Sequence, residues 1–136
     1  MVNTETRLKK PIRSFKDLDV YQNTYSASLE VISKIVPKLP KVEQDDLGDQ
    51  MRRSAKAVPR LIAEGYSKTH QKKGFQKYLD DAMAESNEMV VSLNHARDLY
   101  ANCNDAKLCE NLIDTYDKSS RQLYHLATKW KNFKER

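Results

Sequence analysis

The chain has 136 residues, with 24 Lys or Arg against 19 Asp or Glu, a net charge of +5 and only three glycines. This length fits one domain, and the low glycine content with 32% charged residues favours long helices with solvated outer faces over a sheet. No apolar run reaches the roughly 20 residues that span a bilayer, and the N-terminus lacks the apolar core of a signal peptide, so we expect a cytoplasmic protein without a membrane partner. Cys103 and Cys109 have neither CxxC spacing nor flanking histidines, which argues against zinc.

Residues 1–13 are predicted to be a flexible basic segment, followed by one domain over residues 14–136. Ser14 can cap the first turn of a helix, and Asp17 three residues later favours the positive end of the helix dipole. The spacing predicts helix one from Phe15 to Val36, ended by Pro37 and Pro40. Its predicted buried stripe is Leu18, Tyr25, Leu29, Ile32 and Val36.

A second stripe predicts a helix that begins after Asp45 and Asp46 and ends near Gly65, which we expect to be a left-handed C-cap. Pro59 lies inside this helix and is expected to kink it rather than break it, because the stripe resumes in register. The stripe consists of Leu47, Met51, Ala55 (or Ser54), Val58 and Ile62.

The third helix carries the most regular pattern, with steps of four and three from Phe75 to Tyr100. Its stripe is Phe75, Leu79, Ala82, Ser86, Met89, Leu93, Ala96 and Tyr100. After turn residues at 102–105, a fourth stripe runs to the C-terminus through Leu108, Leu112, Tyr116, Leu123, Ala127 and Trp130. Short loops between long helices predict an all-α, antiparallel, up-and-down four-helix bundle.

Three motifs carry a resemblance to a family. The opening F-x-D-L-x-V-W/Y-Q is matched by Phe15, Asp17, Leu18, Val20, Tyr21 and Gln22. The signature Q-M/L-R-R-A/S-A-x-S-I/V-P-x-N-I-A-E-G is followed closely from Gln50 to Gly65, including Pro59, Glu64 and Gly65. The pattern F-x-x-F/Y-L-x-x-A-x-G-S-x-x-E is met by Phe75, Tyr78, Leu79, Ala82 and Glu88. The chain therefore resembles the small bacterial four-helix-bundle proteins named after intervening sequences in large-subunit ribosomal RNA genes.

The chain departs from the family pattern at a few positions. Leu61 stands where the family usually has Asn, Lys56 and Ala57 replace a more usual small pair, and Ala84 and Glu85 replace Gly-Ser. The resemblance implies a ring-shaped homopentamer with no established enzymatic activity. A structurally similar relative, the accessory protein of diversity-generating retroelements, is a basic pentamer that works with a reverse transcriptase and nucleic acid. That analogy concerns the fold and does not by itself assign a function.

Charge is distributed unevenly along the chain. From Arg52 to Lys77 there are eight cations against one acid, Glu64, whereas Tyr78 to Asp117 holds nine acids against two cations. Arg52, Lys56 and Arg60 recur every four residues and so are expected to form one row of positive charge on a helix. The candidate nucleic-acid-binding residues are Arg52, Arg53, Lys56, Arg60, Lys68, Lys72 and Lys73.

Two functions remain open for this basic face. The first is a homo-oligomeric accessory protein that binds RNA or DNA, mainly through the phosphate backbone, because no helix-turn-helix, zinc finger or aromatic RNA platform is visible. A basic helix face is also often merely solvated, or paired with acids such as those of helix three. The second function is a scaffold or protein-interaction ring whose basic face docks an acidic protein partner or a neighbouring subunit. It predicts no binding of nucleic acid at physiological salt.

An enzyme is the least favoured reading. Glu64 and Glu88 could in principle form an acid and base pair or ligate a metal, but the paired Glu-x-x-His motifs of di-iron bundles are missing. We expect Glu64 to pair with a neighbouring Arg or to cap backbone near Gly65. The histidines lack metal-ligand spacing, so no catalytic residue, metal or cofactor is predicted.

Overall fold

The computed structural model describes residues 11–134, and for Lys72 and residues 130–134 it describes the backbone alone. Residues 1–10, most of the predicted flexible segment, lie outside the described residues. The described part of the chain contains no strand and has four α-helices, joined by shorter helical turns and loops: α1 (Asp19–Glu30), α2 (Leu47–Tyr66), α3 (Lys72–Leu99) and α4 (Ala106–Lys134). The all-α prediction is confirmed. No helix in this part of the chain is long and apolar enough to cross a membrane.

The predicted first helix is interrupted near its start. Ser14 acts as the predicted cap, since its hydroxyl accepts from the Lys16 amide at 3.2 Å while the Asp17 carboxylate accepts from the Ser14 amide at 3.1 Å. However, the capped element is a 3-10 turn, Phe15–Asp17. Leu18 then adopts an extended conformation, and α1 begins only at Asp19.

The predicted buried face of α1 is wrong at Tyr25 and Leu29, which are 48% and 55% exposed. Val36 is buried as predicted, and Leu18 and Ile32 are half-buried. The other buried positions of this segment are Val20, Thr24, Ala27, Ser28, Val31 and Ile35. Thr24 tolerates burial because its hydroxyl donates to the Val20 carbonyl at 2.7 Å. After α1 the chain continues in a π-helical turn, Val31–Ile35, and then a 3-10 turn, Val36–Lys38.

The predicted stripe of α2 is confirmed, since Leu47, Met51, Ala55, Val58 and Ile62 are all buried. The helix runs without a break through the buried Pro59. The prediction for Gly65 is wrong: no described residue has positive φ, and the helix continues to Tyr66. Gly65 lies instead against α3, where a Cβ built on it would be 2.8 Å from the Tyr78 Cβ.

The stripes of α3 and α4 form most of the remaining core. In α3, which begins three residues before the predicted start, every predicted stripe position from Phe75 to Ala96 is buried and Tyr100 is half-buried. In α4, Leu112, Tyr116, Leu123 and Ala127 are buried. Leu108 is half-buried, and the side chain of Trp130 lies outside the described set. The principal packed pairs are α1 with α2, α2 with α3, α3 with α4, and α4 with α1. Each helix therefore has two main neighbours, and α1 lies diagonally across from α3.

Candidate nucleic-acid interface

The outer face of α2 carries a row of exposed cations. Arg53, Lys56 and Arg60 are all exposed, at spacings of three and four residues that keep them on one side of the helix. They face solvent because the opposite side of α2 supplies its apolar stripe to the core. We call these three residues the basic ridge.

The spacing predicts that Arg52 belongs to this row, but its side chain is tied to the segment before α2. Its side chain is 33% exposed, and its Nη2 atom donates to the Gln44 carbonyl at 2.8 Å. Its nearest carboxylate oxygen, on Asp49, is 3.9 Å away. Arg52 is thus held by the segment that precedes α2, and its guanidinium is partly committed to backbone.

Two acids on the same helix face partly neutralise the basic ridge. Arg53 Nε lies 3.1 Å from Asp49 Oδ2, and Arg60 Nη1 lies 3.1 Å from Glu64 Oε1. The pairing of Glu64 with a neighbouring Arg, here Arg60, is the one predicted from the sequence. Among the described residues Lys56 makes no ion pair. Exposed pairs of this kind contribute about 0 to 1 kcal/mol, so a phosphate can displace the carboxylate at small cost.

The loop after α2 extends the positive surface. Lys73 is exposed and Lys68 half-buried, and neither makes an ion pair within the described part of the chain. The side chain of Lys72 lies outside the described set. Further along α3, Lys77 lies 3.3 Å from Asp81, so the unpaired positive charge is concentrated between α2 and the first turn of α3.

A second surface, the groove between α2 and α3, was not foreseen from the sequence. It has a volume of about 540 Å³. Its lining includes Gln50, Arg53 and Ser54 from α2 and Glu85, Glu88, Val91 and His95 from α3. The spacing of Glu85, Glu88, Val91 and His95 places them on one face of α3, but it indicates neither a groove nor a particular chemistry.

The two carboxylates of this groove interact. Glu88 Oε2 is 3.4 Å from the Ser54 hydroxyl, which donates to it. Partial burial raises the pKa of the Glu85 carboxyl, Ser54 lowers it, and the neighbouring Glu88 raises it further. Glu88 therefore belongs to the groove, whereas Glu64 pairs with Arg60 of the basic ridge. The two carboxylates that could have formed a catalytic pair have different partners.

The remaining motif residues have packing positions. Pro59 and Phe75 are buried, and Gly65 is buried against Tyr78 and Phe75. Within the described ranges, no three His, Cys, Asp or Glu side chains are grouped as metal ligands. Cys109 is buried and Cys103 exposed.

These features define a helical-bundle protein with a charged outer helix face. The model of the 23S rRNA-intervening sequence protein family matches residues 16–125, which is most of the chain. The protein belongs to that family. No curated protein and no solved structure is significantly similar to it.

Proposed function

We propose that this protein is a non-enzymatic, homo-oligomeric accessory protein of the cytoplasm that binds the phosphate backbone of RNA or DNA. The observation that carries the proposal is the basic ridge, three exposed cations in line on α2, continued by Lys68 and Lys73. A row of this kind suits a phosphate backbone because it places positive charges along one direction without requiring base contacts.

The proposal includes an antiparallel, up-and-down order of the four helices and a ring of five subunits. Contacts between α2 and α3 support the antiparallel order: Gly65 lies next to Tyr78, and Ser54 hydrogen-bonds Glu88. Before α2, Glu43 accepts a hydrogen bond from Tyr100 at the other end of α3. A ring would repeat the basic ridge around an axis and strengthen binding by multivalency.

The test compares two variants with equal changes of charge. The ridge variant carries Arg53→Glu, Lys56→Glu and Arg60→Glu. The control carries Lys41→Glu, Lys107→Glu and Lys118→Glu, three exposed positions elsewhere. Fluorescence anisotropy measures binding of a labelled single-stranded RNA and a labelled DNA duplex at low and near-physiological salt.

We expect the ridge variant to bind at least tenfold more weakly than the control. Because each phosphate contact contributes roughly 0.7 to 0.9 to the slope of log K against log salt, the loss of three contacts flattens that slope by roughly 2 to 3. Equal affinities of the two variants, or no binding by the unmodified protein at low salt, would contradict the proposal.

A second candidate is a scaffold ring that docks an acidic protein, or a reverse transcriptase, without nucleic acid. It is favoured by large apolar side chains that remain exposed on the outer faces of α1 and α3, namely Tyr25, Leu29, Val91 and Leu99. This candidate gains if the unmodified protein forms a ring that ignores RNA and DNA even at low salt.

A further inference from the structure

One exposed apolar patch lies on α1. Tyr25 and Leu29 are one helical turn apart and 48% and 55% exposed. The Tyr25 ring stacks on Tyr21, with ring centroids 6.0 Å apart, so its position is defined within its own helix. We call Tyr25 and Leu29 the α1 patch.

A second exposed apolar surface lies on α3, along the groove next to α2. Val91, His95 and Leu99 follow one another at intervals of four residues, and Val91 and Leu99 are 55% and 64% exposed. Beyond the groove, a smaller hollow of about 220 Å³ continues past His95 and Gln50, which line both, to Leu99 and Asp46. Because the two depressions share these lining residues, they are adjacent, and we call them together the channel. Val91 lines one part of it and Leu99 the other.

The charges near the two surfaces are complementary. Acids line the channel: Glu85 and Glu88 on one part of it, Glu43 and Asp46 on the other. Arg53 also lines the channel, but its charge is partly neutralised by Asp49, whose Oδ2 atom lies 3.1 Å from Arg53 Nε. Two exposed cations, Lys34 and Lys38, follow the α1 patch in the chain. Lys34 Nζ lies 3.6 Å from Glu30 Oε1, and both side chains of this ion pair are open to solvent.

We propose that the channel between α2 and α3 receives the α1 patch of a second copy of this chain. Tyr25 and Leu29 then cover Val91 and Leu99, and the lysines that follow the patch approach the acids that line the channel. This inference rests on the homo-oligomeric part of the proposed function. Because α1 and α3 lie diagonally across the bundle, the two surfaces are different faces of the protomer. The contact is therefore head to tail, and it closes into a ring when the rotation between copies permits.

The test uses one variant for each face. Leu29→Glu places an acid on the α1 patch, opposite the acidic lining, and Val91→Glu places one in the channel. Tyr124→Glu is the matched control, since Tyr124 is 58% exposed on α4 and belongs to neither face. Circular dichroism checks that each variant is folded, and light scattering and sedimentation velocity measure the mass of each variant alone and of equimolar mixtures.

The expected result is a unique pattern of masses. The unmodified protein and Tyr124→Glu form an oligomer, while Leu29→Glu and Val91→Glu alone have the monomer mass of 15.8 kDa. Mixing Leu29→Glu with Val91→Glu gives a heterodimer of twice that mass, because the first keeps an intact channel and the second an intact α1 patch. Either variant alone at the same total concentration forms no dimer.

Three results would overturn the inference: a monomeric unmodified protein, an oligomer that survives either substitution, or a mixture that stays monomeric. The RNA-binding result is separate. An oligomer that follows the expected pattern of masses but never binds RNA or DNA contradicts the nucleic-acid proposal and leaves the interface standing. If the protein is monomeric and binds RNA through the basic ridge, the interface is contradicted and the nucleic-acid proposal stands.

Discussion

Gly65 of α2 lies directly against Tyr78 of α3, with no room for a side chain between them. A Cβ built on Gly65 would lie 2.8 Å from the Tyr78 Cβ and 3.6 Å from Phe75 Cδ1. Neither Cβ can rotate away, because each is fixed directly to its backbone. The glycine therefore serves the distance between the helices rather than a turn.

Gly65→Ala is expected to destabilise the protein by about 1 to 3 kcal/mol, because the helices must separate to admit the methyl group. Gly74→Ala is the matched control, since no heavy atom lies closer than 3.0 Å to its new Cβ. The Gln71 side-chain oxygen at 3.0 Å can rotate away, and the Lys68 Cβ at 3.2 Å needs to move by only a few tenths of an ångström. Thermal and urea unfolding measure both variants. Equal stability of the two alanine variants would contradict the packing role of Gly65.

The sequence predicts α2, α3 and α4 well because their buried positions are mostly apolar and regularly spaced. Helix α1 is predicted poorly for two physical reasons. Leu18 breaks the helical period, and the buried face then uses Thr24 and Ala27, which carry little hydrophobic signal. Tyr25 and Leu29 carry a strong signal, but they face outward.

The candidate site was predictable only in part. The exposure of Lys56 and Arg60 follows from their position opposite the apolar stripe of α2. The role of Arg52 does not, because it depends on where the Gln44 carbonyl of a preceding irregular segment lies. The groove depends on the pairing of α2 with α3, which no spacing within one helix encodes.

Arg52 and Arg53 are adjacent, yet we expect opposite phenotypes when each is replaced by Ala. Arg52 donates to the Gln44 carbonyl at 2.8 Å, and the Gln44 side chain donates to the carbonyls of Val36 and Leu39 at 2.8 and 2.9 Å. Arg52→Ala should therefore cost roughly 1 to 2 kcal/mol of unfolding free energy, whereas Arg53→Ala, with its side chain 80% exposed, should cost less than about 0.5 kcal/mol.

For RNA affinity we expect the opposite order, with the larger effect from Arg53→Ala. Arg53→Ala is expected to weaken binding of the labelled RNA severalfold, and Arg52→Ala to leave it nearly unchanged at a temperature where both variants are folded. Urea unfolding and anisotropy titrations on the same preparations measure the two properties. If Arg52→Ala lowers RNA affinity more than Arg53→Ala does, the assignment of Arg52 to structure is wrong.

Tyr116 carries a buried hydroxyl group without a hydrogen-bond partner among the described residues. Burial also raises the pKa of this phenol, so it stays neutral. Tyr116→Phe keeps the ring and removes the unpaired group, so we expect the unfolding free energy to rise by about 1 kcal/mol. Tyr124→Phe, at an exposed position on α4, is expected to change it by less than about 0.5 kcal/mol. A loss of stability in Tyr116→Phe would mean that the hydroxyl group is hydrogen-bonded.

Glu85 links the groove to pH. Partial burial and the neighbouring Glu88 raise the pKa of its carboxyl, although Ser54 acts in the other direction. The folded state therefore holds this proton more tightly than the unfolded state does. The resulting stability is fully present below the unfolded pKa and is lost as pH rises through the folded pKa.

Glu85→Gln removes this dependence, because the amide does not ionise. We expect the variant to gain stability relative to the unmodified protein as pH rises from about 4 to 7. The gain is at most about 0.5 kcal/mol, since water still screens much of the carboxyl. Urea unfolding across this pH range measures the difference in unfolding free energy between the variant and the unmodified protein. Glu110→Gln, at an exposed position on α4, is the control for loss of one charge. A difference that is constant with pH, or that falls as pH rises, would show that the groove does not favour the protonated carboxyl.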